Sequence, residues 1–263
     1  MDYADLTSLG FEYPDWPSLM KALDPAKLRG YEGRLGFRFL GAYTDPSGAR
    51  LILTYTDADG TQTASDLVSD VSVAAGVTPV DKLAVRLDVL ADPADAESVV
   101  TAYLAMLDDA FVLSERVVVR DLKVGAVALA ARVYPSLDAF EASPDSYLDP
   151  AEHGQEPRRE TTENGREITV PLRVSVPFLV SYALLKEVAD RGVSSPVARV
   201  TGRIASVEER RNDLTGQRWW YVRVDSALPL AVALPGALDP AEGGVVAGDF
   251  WMVASTGAWD LQP

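Results

Sequence analysis

Residues Glu115 to Pro135 read ERVVVRDLKVGAVALAARVYP. Valine and small apolar residues dominate the stretch, and its charges crowd the first half. It reads as two strands with a break near Lys123 to Gly125. Just upstream, Asp92-Pro93 carries a helix-start signal, with Asp as N-cap and Pro at the first helical position. Val100, Tyr103, Leu104, Leu107 and Phe111 then fall on one helical face, with Asp108 and Asp109 near the C-terminal end. Carboxylates there oppose the helix dipole, so the two aspartates are expected in solvent, where they would face a partner.

Further upstream, KLAVRLDVLA places Leu83, Val85, Leu87 and Val89 on one face of a strand. GFRFLGAYTD and ARLILTYTD also read as strands. Asp45-Pro46-Ser47-Gly48 joins them as a turn, and Asp57-Ala58-Asp59-Gly60 makes a second turn. Asp15-Trp16-Pro17-Ser18 opens a short helix in an otherwise irregular start.

Downstream, SLDAFEAS reads as a short helix. A polar loop from about residue 149 to residue 160 contains His153, the single histidine. Asn164-Gly165 signals a hairpin, and ITVPLRVSV alternates cleanly, with Pro171 marking an edge or bulge. PFLVSYALLKEVADRG reads as a helix from Pro177 to a terminating Gly192. No internal repeat is legible. Residues 1–192 therefore read as a mixed α+β domain.

Ser194-Ser195-Pro196 marks a boundary, and residues 197–263 read as all β. VARVTGRIASVEE, RWWYVRV, PLAVALP and GDFWMVAST are four strands, and AWDL is a short fifth. The order and spacing of this tail resemble an OB-fold. A long first strand carries Gly202, and the NDLTGQ hairpin leads to an aromatic second strand. LAVALP follows, then a Gly248-Asp249 turn before a hydrophobic strand. The resemblance implies a small Greek-key barrel whose second and third strands and adjoining loops meet ligands. The expected fold class is α+β: a mixed N-terminal α+β domain followed by a small OB-like β-barrel.

The tail also holds the main candidate site, EERRNDLTGQRWWYVRV from Glu208 to Val224. Arg210, Arg211, Arg218, Trp219, Tyr221 and Arg223 are the ligand- or partner-binding candidates. Alternation turns Trp220, Val222 and Val224 into the barrel and leaves Trp219, Tyr221 and Arg223 outside, as a stacking platform with a cation. Three destinations are open to those rings: packing against the acidic body, a protein partner, or single-stranded nucleic acid.

The net charge of -15 argues against broad binding to nucleic acid or an anionic membrane. Glu208, Glu209, Asp213 and Asp225 also dilute the arginines of the hairpin. With no cysteine and one histidine, most nucleophile and transition-metal arrangements are excluded. Phosphate-binding and nucleophile-elbow motifs are absent from the sequence. The longest apolar stretch, Val124 to Ala131, is far short of the ~18 residues of a membrane span. The expected function is a non-catalytic, cytoplasmic interaction or accessory protein. It would use no cofactor or metal and would bind a protein partner or itself. Single-stranded nucleic-acid binding is the alternative, and a carboxylate-dependent enzyme the weaker one.

Overall fold

The structure is a computed structural model that describes residues 4–24, 27–148, 158–161, 164–170, 172–187 and 195–260. Two short helices open the chain, α1 (Ala4–Thr7) and α2 (Trp16–Ala22). Asp15 caps α2 by accepting from the Ser18 amide at 2.8 Å, and Pro17 sits in the first turn, where no amide hydrogen is needed. A four-stranded antiparallel meander follows: β1 (Leu28–Glu32), β2 (Phe39–Thr44), β3 (Ala49–Thr56) and β4 (Gly60–Leu67). Its turns are those the sequence predicts. Asp45 accepts from the Ser47 amide at 2.9 Å, and Gly48 supplies a φ of 88°.

Next come β5 (Ser72–Pro79), β6 (Ala84–Leu90), β7 (Val99–Leu107) and β8 (Val117–Tyr134). A connecting region holds α3 (Leu137–Glu141), β9 (Tyr147–Leu148), β10 (Arg158–Thr161), β11 (Glu167–Val170), β12 (Leu172–Arg173), β13 (Phe178–Ser181) and α4 (Tyr182–Glu187). The last strands are β14 (Val197–Arg211), β15 (Arg218–Asp225), β16 (Pro229–Pro235) and β17 (Val245–Ser255).

These strands close two rings. One runs β14–β15–β16–β8–β17 and returns to β14. The other runs β5–β6–β7–β17–β8 and returns to β5. Both use the antiparallel ribbon of β8 and β17, paired from Tyr134 with Val245 to Lys123 with Ser255. β16 joins β8 in parallel at Gly125–Val127, and β7 joins β17 in parallel at Val253–Ala254. β5 pairs with Val117–Lys123 of β8, and β14 with Val245–Trp251 of β17. Each ring thus borrows its closing strand from the other half of the chain. The β5–β8 and β14–β17 segments repeat one connection order, a repeat that the sequence does not display.

One apolar core runs through both rings. Val77, Leu87 and Leu107 of one meander share it with Val200, Val222 and Leu234 of the other, and Val124, Ala126, Phe250 and Met252 of the ribbon link them. The opposite faces of these strands carry Met106, Val127, Ala231, Ala233 and Val253, which share a second apolar cluster with Leu40, Ala42, Leu51 and Leu53 of the β1–β4 meander. The result is a sheet covering the outside of a double ring. The ribbon needs close approach at Gly248, where an added Cβ would lie 2.1 Å from the Ala130 carbonyl oxygen.

The chain is 53% strand and 11% helix, which overturns the expected α+β class and its layout of mixed domain plus separate small barrel. Three local readings changed with it. Residues 84–107 form the β6–β7 hairpin, and Asp92-Pro93 lies in its loop instead of starting a helix. Tyr103 and Leu104 are both buried, so β7 is covered on both faces and loses the alternation that marks a strand. Val117 to Tyr134 is one continuous strand of 18 residues, with no break at Lys123 to Gly125. Within PFLVSYALLKEVADRG, Phe178–Ser181 pairs with β14 and only Tyr182–Glu187 is helical among the described residues. All four tail strands form, but β17 starts at Val245 and runs through Gly248 and Asp249, where a turn is expected, Gly257 and Trp259 lie in a turn, and β8 closes the ring in place of AWDL. The Asn164-Gly165 hairpin joins β10 to β11. His153 and Pro171 lie outside the described residues.

Two outcomes follow from the shared ribbon. A fragment of residues 197–263 lacks β8 and should show no cooperative thermal unfolding by circular dichroism. Gly248→Val in the full chain should lower the melting temperature, by an overpacking cost of about 1–3 kcal/mol or more.

Candidate functional site at the hairpin root

The β14–β15 hairpin is long, from Arg203 paired with Asp225 to Arg211 paired with Arg218. Its Asn212–Gly216 turn does not project into solvent. Asn212 is fully buried and donates through Nδ2 to the Leu9 carbonyl at 3.0 Å. Thr215 donates to the Gly10 carbonyl at 2.6 Å, and the amides of Asp213 and Leu214 donate to Asp45. The carboxylate that organises the β2–β3 turn thereby also holds the tip of a hairpin far away in sequence.

Alternation sorts the aromatic residues as expected. Val222 and Val224 are interior to the ring, Trp220 packs against that core, and its indole donates to the Leu238 carbonyl at 2.7 Å. Trp219 and Tyr221 face the other way, but the β1–β4 meander covers them. Trp219 is 0% exposed and Tyr221 3%. They meet edge to face, with centroids 6.4 Å apart. Neither ring is open as a stacking platform.

Arg210 lies over both rings, its guanidinium carbon 3.8 Å from the Tyr221 centroid and 5.6 Å from that of Trp219. It donates to Glu208 through two nitrogens at 3.0 Å and to the Ser47 carbonyl at 3.1 Å. Arg218 lies 3.9 Å from Glu209, and Arg223 donates to Asp70, which also accepts from the Tyr221 hydroxyl. Arg211 is exposed and donates to the Gly216 carbonyl at 2.6 Å. Partial burial works to raise the Asp70 carboxyl, but the bonds from Tyr221 and Arg223 outweigh it and hold it below the usual range. Tyr221 is pushed up to about 12, chiefly by burial, with Asp70 adding to the effect.

Of the six candidates, the structure gathers Arg210, Arg211 and Tyr221 around one groove of about 510 Å³. Ser47, Asp70, Glu208 and Asp213 complete its polar walls. Trp219 lies beneath the groove, and Arg218 and Arg223 lie outside its lining. Its charges are mixed, and most are already paired. Such a groove suits a polar segment carrying both charges better than a polyanion.

The sequence reading missed a second cluster. Arg50 on β3 is 1% exposed. It donates to Asp108 at 2.5 Å and to Asp260 at 2.6 Å, and lies 3.7 Å from Asp66 on β4. Asp109 accepts from the amides of Thr256 and Ala258 and from the Thr256 hydroxyl, fastening the turn after β17. Asp66, Asp108 and Asp109 are each 0% exposed, the reverse of the solvated helix end expected for the last two. Neither oxygen of Asp66 has a well-formed hydrogen bond, nor has Oδ1 of Asp108. One guanidinium cannot neutralise Asp66, Asp108 and Asp260 together, so protonation relieves the buried charge. Burial pushes the Asp66 carboxyl up to about 6 against the pull of Arg50. Burial, then Asp66 and Asp109, push Asp108 well above the ordinary range. The one signal in sequence is Arg50 itself, at a core-facing position of a strand. The cluster is sealed from solvent except at Asp260 and offers no open acid–base cleft. Among the described residues, no group of three or more His, Cys, Asp or Glu is placed to hold a metal ion.

Trp219→Ala should destabilise the protein by about 3–5 kcal/mol, read as a lower melting temperature. Asp66 gives a pH dependence of definite sign. Its neutral form contributes stability in full below the ordinary carboxylate pKa of about 4, and the contribution falls as pH rises through about 6. Denaturant titrations from acid to neutral pH should show Asp66→Asn gaining stability relative to the parent as pH rises. Equal pH dependence in the two proteins would contradict a raised Asp66.

No protein-family model matches this chain, and no match is found among curated proteins or solved structures.

Proposed function

We propose that this chain is a non-catalytic, cytoplasmic interaction or accessory protein that meets a protein partner at the groove beside the hairpin root. We further infer that the OB-like character of the tail belongs to the ring of β14–β17 completed by β8. Its connection order supports this, with a meander closed through a parallel fifth strand. The observation that carries the functional reading is the covering of that ring's outer face. Trp219, Tyr221, Ala231 and Ala233 of β15 and β16 occupy the position where such barrels receive ligands, and the β1–β4 meander buries them. A surface so occupied is unavailable for stacking bases. The exposed polar groove at its margin remains for recognition.

The cysteine-free composition supports the cytoplasmic assignment. No helix among the described residues is long and apolar enough to cross a membrane.

The test uses a rim variant, Arg211→Glu with Asp213→Lys, both exposed in the full chain. Both side chains are exposed at the rim, so the melting temperature should stay close to that of the parent. Crosslinking in cells of the source organism, followed by quantitative mass spectrometry, should recover a partner with the parent and several-fold less of it with the variant. Equal recovery, or no specific partner for either protein, would overturn the proposal.

A further inference from the structure

On the other side of the β2–β3 turn lies a second cleft, of about 450 Å³, lined by Lys27, Arg29, Ala42, Thr44, Pro46, Trp259 and Asp260. Arg29 of β1 pairs with Ala42 of β2, so their side chains share one face of the meander at its end. The turn after β17 forms the opposite wall. Arg29 donates to the Trp259 carbonyl at 2.7 Å, which fixes its guanidinium against that wall.

The two cations of this cleft are not spent on ion pairs with the described residues. Arg38, Arg50, Arg132, Arg210, Arg218 and Arg223 all rest against carboxylates. Among the described residues, Lys27 and Arg29 rest against none. Arg34, Lys82, Arg120, Arg203 and Arg211 also lack a carboxylate partner, but Lys27 and Arg29 line one cleft together. The acid nearest to hand, Asp260, is already engaged by Arg50 at 2.6 Å. A third donor completes the set. The Thr44 hydroxyl oxygen accepts from Nε of Arg50 at 2.9 Å, so its own hydrogen is free to donate into the cleft.

We propose that this cleft binds a small molecule through a carboxylate group, held by Lys27, Arg29 and the Thr44 hydroxyl. A guanidinium with one N–H spent on Trp259 still offers an edge that matches a planar carboxylate. A single negative charge suits the site better than the double charge of phosphate. Asp260 stands on the wall, and the surrounding chain carries a net charge of -15. The volume lies in the range of small-molecule sites. The assignment is independent of the groove at the hairpin root and goes beyond the function proposed for it.

The experiment is a set of NMR titrations of the full-length protein at constant ionic strength. Sodium acetate, inorganic phosphate and sodium chloride serve as the three probes, read at the Arg29 Nε–H and the Thr44 amide. Acetate should give saturable shifts, phosphate weaker ones, and chloride none. Lys27→Ala removes an exposed side chain without disturbing the fold and should weaken acetate binding about tenfold, the loss of one charge-assisted hydrogen bond. Linear drifts shared by acetate and chloride would overturn the proposal, as would acetate binding unchanged in Lys27→Ala. Tighter binding of phosphate than of acetate would overturn the carboxylate assignment.

Discussion

The pairing of β8 with β17 is the constraint on which the rest of this structure depends. Neither three-strand meander closes by itself. Each needs one strand of the ribbon to follow it in antiparallel register and the other to close it in parallel. The ribbon's inner face links the two ring interiors into one core, and its outer face carries Val127 and Val253 to the covering sheet. Disturbing the register by one residue would exchange these faces along both strands at once. Small residues make the register possible. Gly248 lets the Ala130 backbone approach, and Ala126 and Ala128 leave room inside for Phe250 and Met252.

The covering sheet is held by two different kinds of contact. On one side of the β2–β3 turn, apolar burial dominates: Trp219 and Tyr221 fill the space under the turn, and Asp45 satisfies the amides of the docked hairpin tip. On the other side of that turn, Arg50 reaches from the sheet to Asp108 and Asp260. Taking those charges out of water is costly, and Arg50 offsets only part of it. A protonated carboxyl settles the balance, so this contact weakens as pH rises, whereas the Asp70 carboxylate bonded to Tyr221 and Arg223 favours the charged form. Geometry is specified strictly on both sides of the turn, because a shifted sheet leaves buried polar groups without partners.

The β signals that were legible carried a turn marker or clean alternation. The hairpins at Asp45–Gly48, Asp57–Gly60 and Asn212–Gly216, the strand at Leu83–Val89 and the four tail strands all belong to that class. β7 was misread because it is buried on both faces, so its apolar residues fit a helical period as well as any other. β8 was read as two strands because Lys123 and Gly125 look like a break. In the folded chain they mark the place where the strand leaves one ring and enters the other. Parity along β15 correctly separated Trp219 and Tyr221 from Trp220. What covers them was not legible, because the β1–β4 meander lies more than 150 residues away in sequence and nothing local encodes that meeting. Asp108 and Asp109 were placed in solvent for the same reason, since their partners are Arg50 and the turn after β17.

The borrowed strands have a consequence for synthesis. Chains emerge from the ribosome in order, and β5 to β8 appear long before β17. Until β17 arrives, the first meander has a long strand at hand but no closing strand, and its parallel edge on β7 is unmet. The second meander finds β8 waiting when it emerges. The two halves of one repeated connection order therefore mature under different conditions. The earlier half holds open apolar surface through most of translation, a period in which chaperones or neighbouring chains compete for it. The covering sheet comes still earlier and waits with it, so the final ribbon strand closes the first ring, the second ring and the interlayer clamp in a single late event.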